Sequence, residues 1–549
     1  MKRFKLNSVD YYDTFSDFVD GIGKKYADKP AVSYFTRKQE EIVHTYGEFT
    51  SDIRALRETL YADGFAGKQI AIISENCYEW LVAYLAVTSC GAVAVCIDAE
   101  QSDDTIRQML SLADADAAFV SGTYVSICLP ALPRERLFAF SADCSEEGIR
   151  TFGEMCAAGR EGLSALSESR SYALDPHQTA VIVFTSGTSS LAKPVMLTHK
   201  NILQNTSDCI LYAWTYERVF SQLPFYHTYG MTCGVLSTLV HGFHLFINGD
   251  LKTVMRDLML SKPDTLMTVP LMLEAISNQI WLAAEKSGRA ESLKKLLKFA
   301  GFLHRLGIRP KFSTLEAIRK KAFGTVSIVI TGGAALGEDI EREFELLGIT
   351  ILQGYGITEC SPLISVNSNR SRRFGSVGHV LPSFEIKSVD GEIYVRGPSL
   401  MPGYYNSPEL TAEVMEDGWF KTGDIGHVDS GGFLFITGRK KNLIVFKNGK
   451  KVSPEKMEEL IQRIPLVKEV VVYGAASGNS ADDIKLAASI FPDSDRTEGM
   501  TAYDILAGLQ AGIDEINSDL PFYQHIQMIN IRKQPFAKTG SQKIKRHLV

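Results

Sequence analysis

The chain has 549 residues, roughly three to four domain equivalents at ~150 residues each. With 45% hydrophobic and 22% charged residues, 44 Gly and 19 Pro, its composition excludes a disordered, collagen-like or disulfide-stapled chain. The 58 Lys+Arg against 64 Asp+Glu leave a formal charge of −6, so no global basic field exists to gather nucleic-acid phosphates.

At the amino terminus, MKRFKLNSVDYYDTF carries basic residues with no apolar run behind them and does not read as a secretory signal. Trp80 to Ile97 is an 18-residue stretch without charge, near the lower limit for a membrane span. Gly91 divides it, and the two halves predict a buried helix followed by a buried strand. Nine scattered cysteines with no CxxC pair predict reduced thiols in a cytoplasmic protein.

Short apolar runs at Gln69–Ser74, Ala180–Phe184, Val326–Ile330 and Val467–Val472 are separated by helix-length segments. They predict α/β architecture with mostly parallel sheets. From Ser376 shorter alternating segments with Gly, Pro, Asn and Asp turns predict a small antiparallel β region over about 376–438. After Thr437, GRKKNLIVFKNGKK is dense in Lys and Gly, as a joint between domains would be. Ser453, Pro454 and Glu455 then read as an N-cap, a first-turn proline and a first-turn acid, opening the helix KMEELIQRI. The expected organisation is a large α/β N-terminal domain over 1–438 and a small C-terminal α+β domain over 439–549.

The most specific segment is Thr185-Ser186-Gly187-Thr188-Ser189-Ser190-Leu191-Ala192-Lys193, directly after the strand AVIVF. Hydroxyls, one Gly and a Lys can wrap a polyphosphate. A Walker-type loop fails here, because Ala192 precedes Lys193 and Pro194 follows it. A Ser/Thr-rich surface turn is the plain alternative. Gly332-Gly333-Ala334-Ala335 leaves the strand VSIVI, at the strand end where open α/β sheets bind ligands. Gln353-Gly354-Tyr355-Gly356-Ile357-Thr358-Glu359 offers an aromatic face, a hydroxyl and a carboxylate suited to magnesium. Further on stand Asp424, able to accept ribose hydroxyls, then Gly438-Arg439-Lys440-Lys441 and Lys543-Ile544-Lys545-Arg546.

In this order, over essentially the whole chain, these segments resemble the adenylate-forming (AMP-binding) superfamily. CIDAEQSDDTIRQML, FTSGTSSLAKPVMLTHKNI, ITGGAALG and GRKKNLIVFKNGKKVSPEKMEE look most like bacterial long-chain fatty acyl-CoA synthetases. The resemblance implies a mobile C-terminal domain and an AMP-forming acid–thiol ligase using ATP, Mg2+ and coenzyme A. Thr185, Ser186, Gly187, Thr188, Ser189 and Lys193 would hold the β- and γ-phosphates of ATP. Gly333, Ala334, Ala335, Gln353, Gly354 and Tyr355 would surround adenine, with Gly356 in the same segment. Thr358 would contact the α-phosphate, Glu359 the magnesium, and Asp424 and Arg439 the ribose, with Ile436 packed beside it. Lys441 falls at the hinge position, Gly449 in the coenzyme A loop, and Lys543 at the catalytic lysine. His227 matches an aromatic position bordering the acyl site; a satisfied core histidine is the alternative.

Two departures stand out. Ser190 and Pro194 occupy positions where the family usually has Gly, so slower or looser ATP use is expected. Lys538 and Lys545 neighbour Lys543, which is favoured by its place in KIKR. Amino-acid-activating relatives carry an Asp after the aromatic residue; here Tyr226 and His227 follow Phe225, which favours an apolar acid and, by resemblance, a long-chain fatty acid. The acceptor is coenzyme A or, alternatively, an acyl carrier protein. A degenerate nucleotide-binding homologue without turnover is the third reading. Residues 286–321 hold eleven Lys/Arg and two Glu, a net of +9. Leu293, Leu296, Leu297 and Ala300 follow helical spacing there. A solvated charged face packed on the large domain is the preferred reading, and peripheral contact with anionic lipid at the inner membrane face the other.

Overall fold

The computed structural model describes residues 6–141, 148–165, 172–185, 192–308, 311–446, 450–476, 484–538 and 544–549. Contacts group the chain into two compact units. The first comprises Met1–Glu385, Arg396–Phe420 and Ser430–Leu434, the second Ile386–Val395, Lys421–Asp429 and Phe435–Val549. Each unit is thus assembled from more than one stretch of the sequence.

In the first unit, the apolar run at 69–74 forms β1 (Gln69–Ile73). The uncharged stretch then forms α1 (Tyr78–Ser89) and β2 (Val93–Cys96). Every residue of α1 except Glu79 is buried, as an all-round apolar helix requires. Gly91 ends it at φ +88°, with Ala92 N–H reaching back to Val87 O (3.1 Å), a turn that glycine makes at no steric cost. Among the described residues no helix is long and apolar enough to cross a membrane. β3 (Thr179–Thr185) and β4 (Lys193–Thr198) pair antiparallel, with Thr185 opposite Lys193. Thr198 caps α2 (His199–Tyr212): its hydroxyl accepts from Asn201 N–H, and the Asn201 side chain accepts from Thr198 N–H. β1, β2 and β3 are parallel neighbours in an eight-stranded sheet.

The basic segment forms α3 (Ala290–Arg305), whose Leu293 and Ala300 are buried while Leu296 and Leu297 pack beside them in the core. The apolar stripe seen in the sequence is thus occupied by packing, in line with the preferred reading. β5 (Ile328–Thr331), α4 (Glu338–Leu346), β6 (Thr350–Gly356) and β7 (Leu363–Val366) follow. β5 and β6 are parallel and β7 antiparallel in a nine-stranded sheet that is otherwise mostly parallel. The short strand β8 (Gly403–Tyr404) leaves the β-rich stretch and joins the eight-stranded sheet through β4.

In the second unit, Ser453 sits at the N-cap position of α5 (Pro454–Ile461). Its side chain does not cap the helix; the hydroxyl donates to Glu455 instead (2.7 Å). α5 and α6 (Ala502–Ser518) cover a three-stranded sheet of Val467–Ala476, Ile484–Pro492 and Ile526–Ile531. Met457, Ile461, Val470, Val472, Leu486, Ile490, Leu509 and Ile513 form their common core. Every described cysteine carries a free thiol.

Candidate active site

The hairpin of β3 and β4 brings Thr185 and Lys193 together at the base of the hydroxyl-rich loop. Ser186, Gly187, Thr188 and Ser189 of that loop lie outside the described residues. The Lys193 ammonium stands 5.2 Å from the centroid of the Tyr404 ring. The Tyr404 phenol donates to Glu359 Oε1 (2.9 Å). Backbone bonds hold the same three segments in place: Tyr405 N–H donates to Pro194 O (2.8 Å) and Met401 N–H to Glu359 O (2.8 Å). Pro194 therefore keeps a structural acceptor although it offers no donor. Burial and the Glu359 carboxylate raise the Tyr404 phenol, so it remains a donor at neutral pH.

Thr331 pairs with Gln353 across β5 and β6, so the two small-residue segments emerge side by side. A side chain on Gly332 would meet Gly354 O at 3.0 Å, which keeps this surface shallow. Gly333, Ala334 and Ala335 are exposed at the strand end, and Tyr355, Gly356, Thr358 and Glu359 are half-buried. Gly356 cannot carry a side chain, because a Cβ would lie 2.1 Å from Pro362 O. That close approach turns the chain into the short 3-10 helix Thr358–Cys360 that presents the hydroxyl and the carboxylate.

Gln353 is anchored from beneath. Its amide donates to Glu341 Oε2 on α4 (2.9 Å), and Gly375 N–H donates to the same oxygen (3.1 Å). Glu341 is only 1% exposed, and burial pushes its carboxyl up to about 7. The side chain of Gln353 is thus committed to Glu341, and its backbone carbonyl accepts from Asn367 N–H (2.8 Å).

His227 is half-buried, and its Nδ1 accepts from Tyr229 N–H (3.1 Å). Its ring lines a small, largely apolar cavity with Tyr84, Val183, Phe225 and Met231. The next segment, Tyr229–Leu236, is a π-helix, a wider winding common where a helix wall borders a site.

In the second unit, Arg439 Nε donates to the buried Asp424 at 2.9 Å. Gly423 N–H and Lys440 Nζ both bond Glu392, at 3.1 and 2.7 Å. Thr422, Gly423, Arg439, Lys440 and Lys441 line one pocket, with Ile436 half-buried on the strand Leu434–Arg439. Gly449 and Lys543 lie outside the described residues.

Tyr404, Glu341 and Glu392 are missing from the residues singled out by sequence. Tyr404 lies 45 residues from Glu359, and only its place in a Gly-Tyr-Tyr turn hinted at it. The donor chemistry suits an anionic nucleotide. Among the described residues no group of three or more His, Cys, Asp or Glu stands together to hold a metal, and a magnesium nucleotide asks for one or two carboxylates plus phosphates, which Glu359 fits.

Comparison with known proteins places these features in a family. Residues 20–405 match the model described as AMP-binding enzyme, and residues 441–549 match the AMP-binding enzyme C-terminal domain. The chain is 28% identical to the long-chain-fatty-acid–CoA ligase FadD15 of Mycobacterium bovis, covering 92% of this chain and 90% of that protein. It is 27% identical to the long-chain-fatty-acid–[acyl-carrier-protein] ligase AEE15 of Arabidopsis thaliana, over 83% of this chain and 73% of that one. Its fold is similar to that of the anthranilate CoA ligase AuaEII in complex with anthranoyl-AMP, with a TM-score of 0.79 at 19% identity over 98% and 96% of the two chains. Since the first model alone spans well over half of the sequence and the second takes up most of the remainder, the chain belongs to the AMP-binding enzyme family.

Proposed function

We propose that this enzyme activates a long-chain fatty acid with ATP and transfers the acyl group to coenzyme A. The observation that carries the reading is the chain of contacts Lys193–Tyr404–Glu359, which ties the base of the hydroxyl-rich loop to the carboxylate beside Thr358. Support for the acid comes from the sequence at Phe225, where no carboxylate follows to receive an ammonium, and from the names of the relatives.

A carboxylate is a poor electrophile, so the reaction runs in two steps. The fatty carboxylate attacks the α-phosphorus of ATP; the bond to the β-phosphate oxygen breaks, giving acyl-AMP and pyrophosphate. A thiolate then attacks the acyl carbonyl, and AMP departs with the electron pair of the broken C–O bond. Glu359 would hold magnesium, which would supply positive charge against the phosphates. Thr185 and Lys193 hold the phosphates, Thr358 orients the α-phosphate, and Tyr355 covers one face of adenine. Asp424 and Arg439 take the ribose hydroxyls. By the resemblance, Lys543 would reach the α-phosphate and the substrate carboxylate and lower their mutual repulsion in the transition state.

Incubating the enzyme with magnesium, ATP and a panel of carboxylic acids, with and without coenzyme A, tests the reading. Long-chain acids are expected to release AMP and pyrophosphate, with thioester formed when coenzyme A is present. Release of ADP, or no cleavage with any acid, overturns it. Transfer to a carrier-protein phosphopantetheine is the second reading, favoured by the likeness to the carrier-protein ligase, and replacing coenzyme A by holo-carrier protein separates the two.

Tyr404 acts here as a positioning residue for Glu359. Tyr404→Phe removes the phenol hydrogen bond and is expected to raise the magnesium concentration for half-maximal pyrophosphate release by about tenfold. Titration of activity with magnesium checks this; an unchanged curve assigns Tyr404 to packing alone. A hinge at Lys441, in the 3-10 turn Lys440–Asn442, lets one small domain serve both half-reactions. Lys441→Pro forces the preceding residue out of the helical region. Pyrophosphate exchange is expected to stay near the parent level while thioester output falls about tenfold or more. Equal thioester output from the variant and the parent removes the hinge.

A further inference from the structure

Cys209 lies on α2 and Cys233 on the π-helix Tyr229–Leu236, 24 residues apart in sequence. Their sulfurs stand 3.5 Å apart, and the two residues are only 6% and 5% exposed. Among the described cysteines no other two thiols are in contact. The pair joins two pieces of the candidate site. One turn before Cys209, the Asn205 side chain donates to Leu363 O (2.8 Å) and accepts from Leu363 N–H (3.0 Å), four residues past Glu359. On the other side, a Cβ on Gly230 would lie 2.1 Å from Pro224 O, so the π-helix is packed directly on the segment that carries Phe225 and His227.

We infer that Cys209 and Cys233 form a reversible disulfide when the enzyme meets hydrogen peroxide, and that this modification slows activation of the acid. One thiolate sulfur attacks a peroxide oxygen; the O–O bond breaks, hydroxide leaves, and the sulfur becomes a sulfenic acid. The neighbouring thiol gives its proton to that hydroxide and attacks the sulfenic sulfur. The S–S bond forms, the S–O bond breaks, and the second hydroxide takes up the proton lost by the first thiol. The two sulfurs give up two electrons, and the peroxide ends as two waters. Burial pushes the Cys209 thiol well above its ordinary value, so the thiolate is scarce. The reaction is therefore slow and confined to a small uncharged oxidant, but the resolving thiol already stands in contact. Closing the gap from 3.5 Å to the length of a disulfide draws the two sulfurs together by about 1.5 Å. A close-packed interior passes such a shift to its neighbours, here Leu363 through Asn205 and His227 through Gly230. The loss of activity rests on the ligase reading; the cross-link itself does not.

Treating the reduced full chain with hydrogen peroxide, blocking the remaining thiols and mapping peptides without reductant tests the inference. The peptide containing Cys209 is expected joined to the one containing Cys233, lighter by two hydrogens, and released by dithiothreitol. Acid-dependent AMP release is expected to fall about 100-fold, the cost of a displacement of about 1 Å at a positioned site, and to return with dithiothreitol. Cys209→Ala and Cys233→Ala are each expected to keep AMP release at the untreated level after the same exposure. The peptide map of the parent needs neither variant, so it decides the cross-link even where a variant fails to fold. No joined peptide, a bond from Cys209 to any other cysteine, unchanged AMP release in the cross-linked parent, or a loss that persists in both variants overturns the inference. A cross-link in a protein that releases no AMP with any acid before treatment sinks the ligase reading alone.

Discussion

Replacing Lys543 by Ala is expected to slow acyl-AMP formation by about 100- to 1000-fold while leaving thioester formation from supplied acyl-adenylate largely intact. The lysine charge matters where two anions must meet, and the second half-reaction contains no such meeting. Lys543 itself lies outside the described residues, but the chain on both sides of it is firmly held. Before it, Lys538 pairs with Glu469 at 2.7 Å, and Phe536 N–H donates to the same glutamate at 2.8 Å. After it, Lys545 N–H donates to Ala537 O at 2.8 Å, and the Arg546 guanidinium forks onto Glu458 of α5. Lys538 is thereby committed to a structural pair, which favours Lys543 over that neighbour for the catalytic role. Pyrophosphate exchange and thioester formation, measured separately, check the prediction. Equal loss in both would mean that the lysine serves the whole fold of the site and not one step.

Glu341→Gln is expected to remove a pH dependence from the stability of the first unit. Burial raises the Glu341 carboxyl from 4.5 to about 7, even though Gln353 and Gly375 donate to it and Arg372 lowers it. For an acid raised in the folded state, the stabilising contribution is complete below the unfolded pKa and is lost as pH climbs through the folded one. The window therefore runs from about pH 4.5 to about pH 7, and the loss above it is roughly 3 kcal/mol. The amide keeps an acceptor for Gln353 and Gly375 and never ionises, so the variant should be the more stable protein above pH 7. Thermal unfolding of parent and variant between pH 5 and 8 reads the difference directly. Glu458, also raised to about 7 by burial, contributes a slope of the same sign in the second unit, which the comparison of the two proteins cancels. Parallel pH profiles would show that Glu341 stays protonated, or stays charged, across the whole range.

The local elements were legible because their causes are local. An uncharged run broken by Gly91 had to become a helix and a strand, since no other residue turns the chain so cheaply at that point. The strands at Ala180–Phe184 and Val326–Ile330 were readable as apolar runs before any pairing is known. Ser453 shows the limit of such reasoning. Its position at the helix start was readable, but the nearby Glu455 competes for the hydroxyl and takes it from the backbone.

α3 shows a different limit. Helical spacing picked out Leu293, Leu296, Leu297 and Ala300 as one apolar face, and they do pack inward. The exposed Phe299 and Phe302 belong to another face, invisible until the side of the helix that meets the core is known. Composition and periodicity determined the α/β class, and the order of the motifs carried the resemblance to the family, because each is written in contiguous residues. Only the tertiary structure decided that Tyr404 joins Glu359 to Lys193 and that Glu341 lies under Gln353. Those contacts depend on which strand lies beside which, and pairing across a sheet follows from packing the whole unit, not from any single stretch of chain.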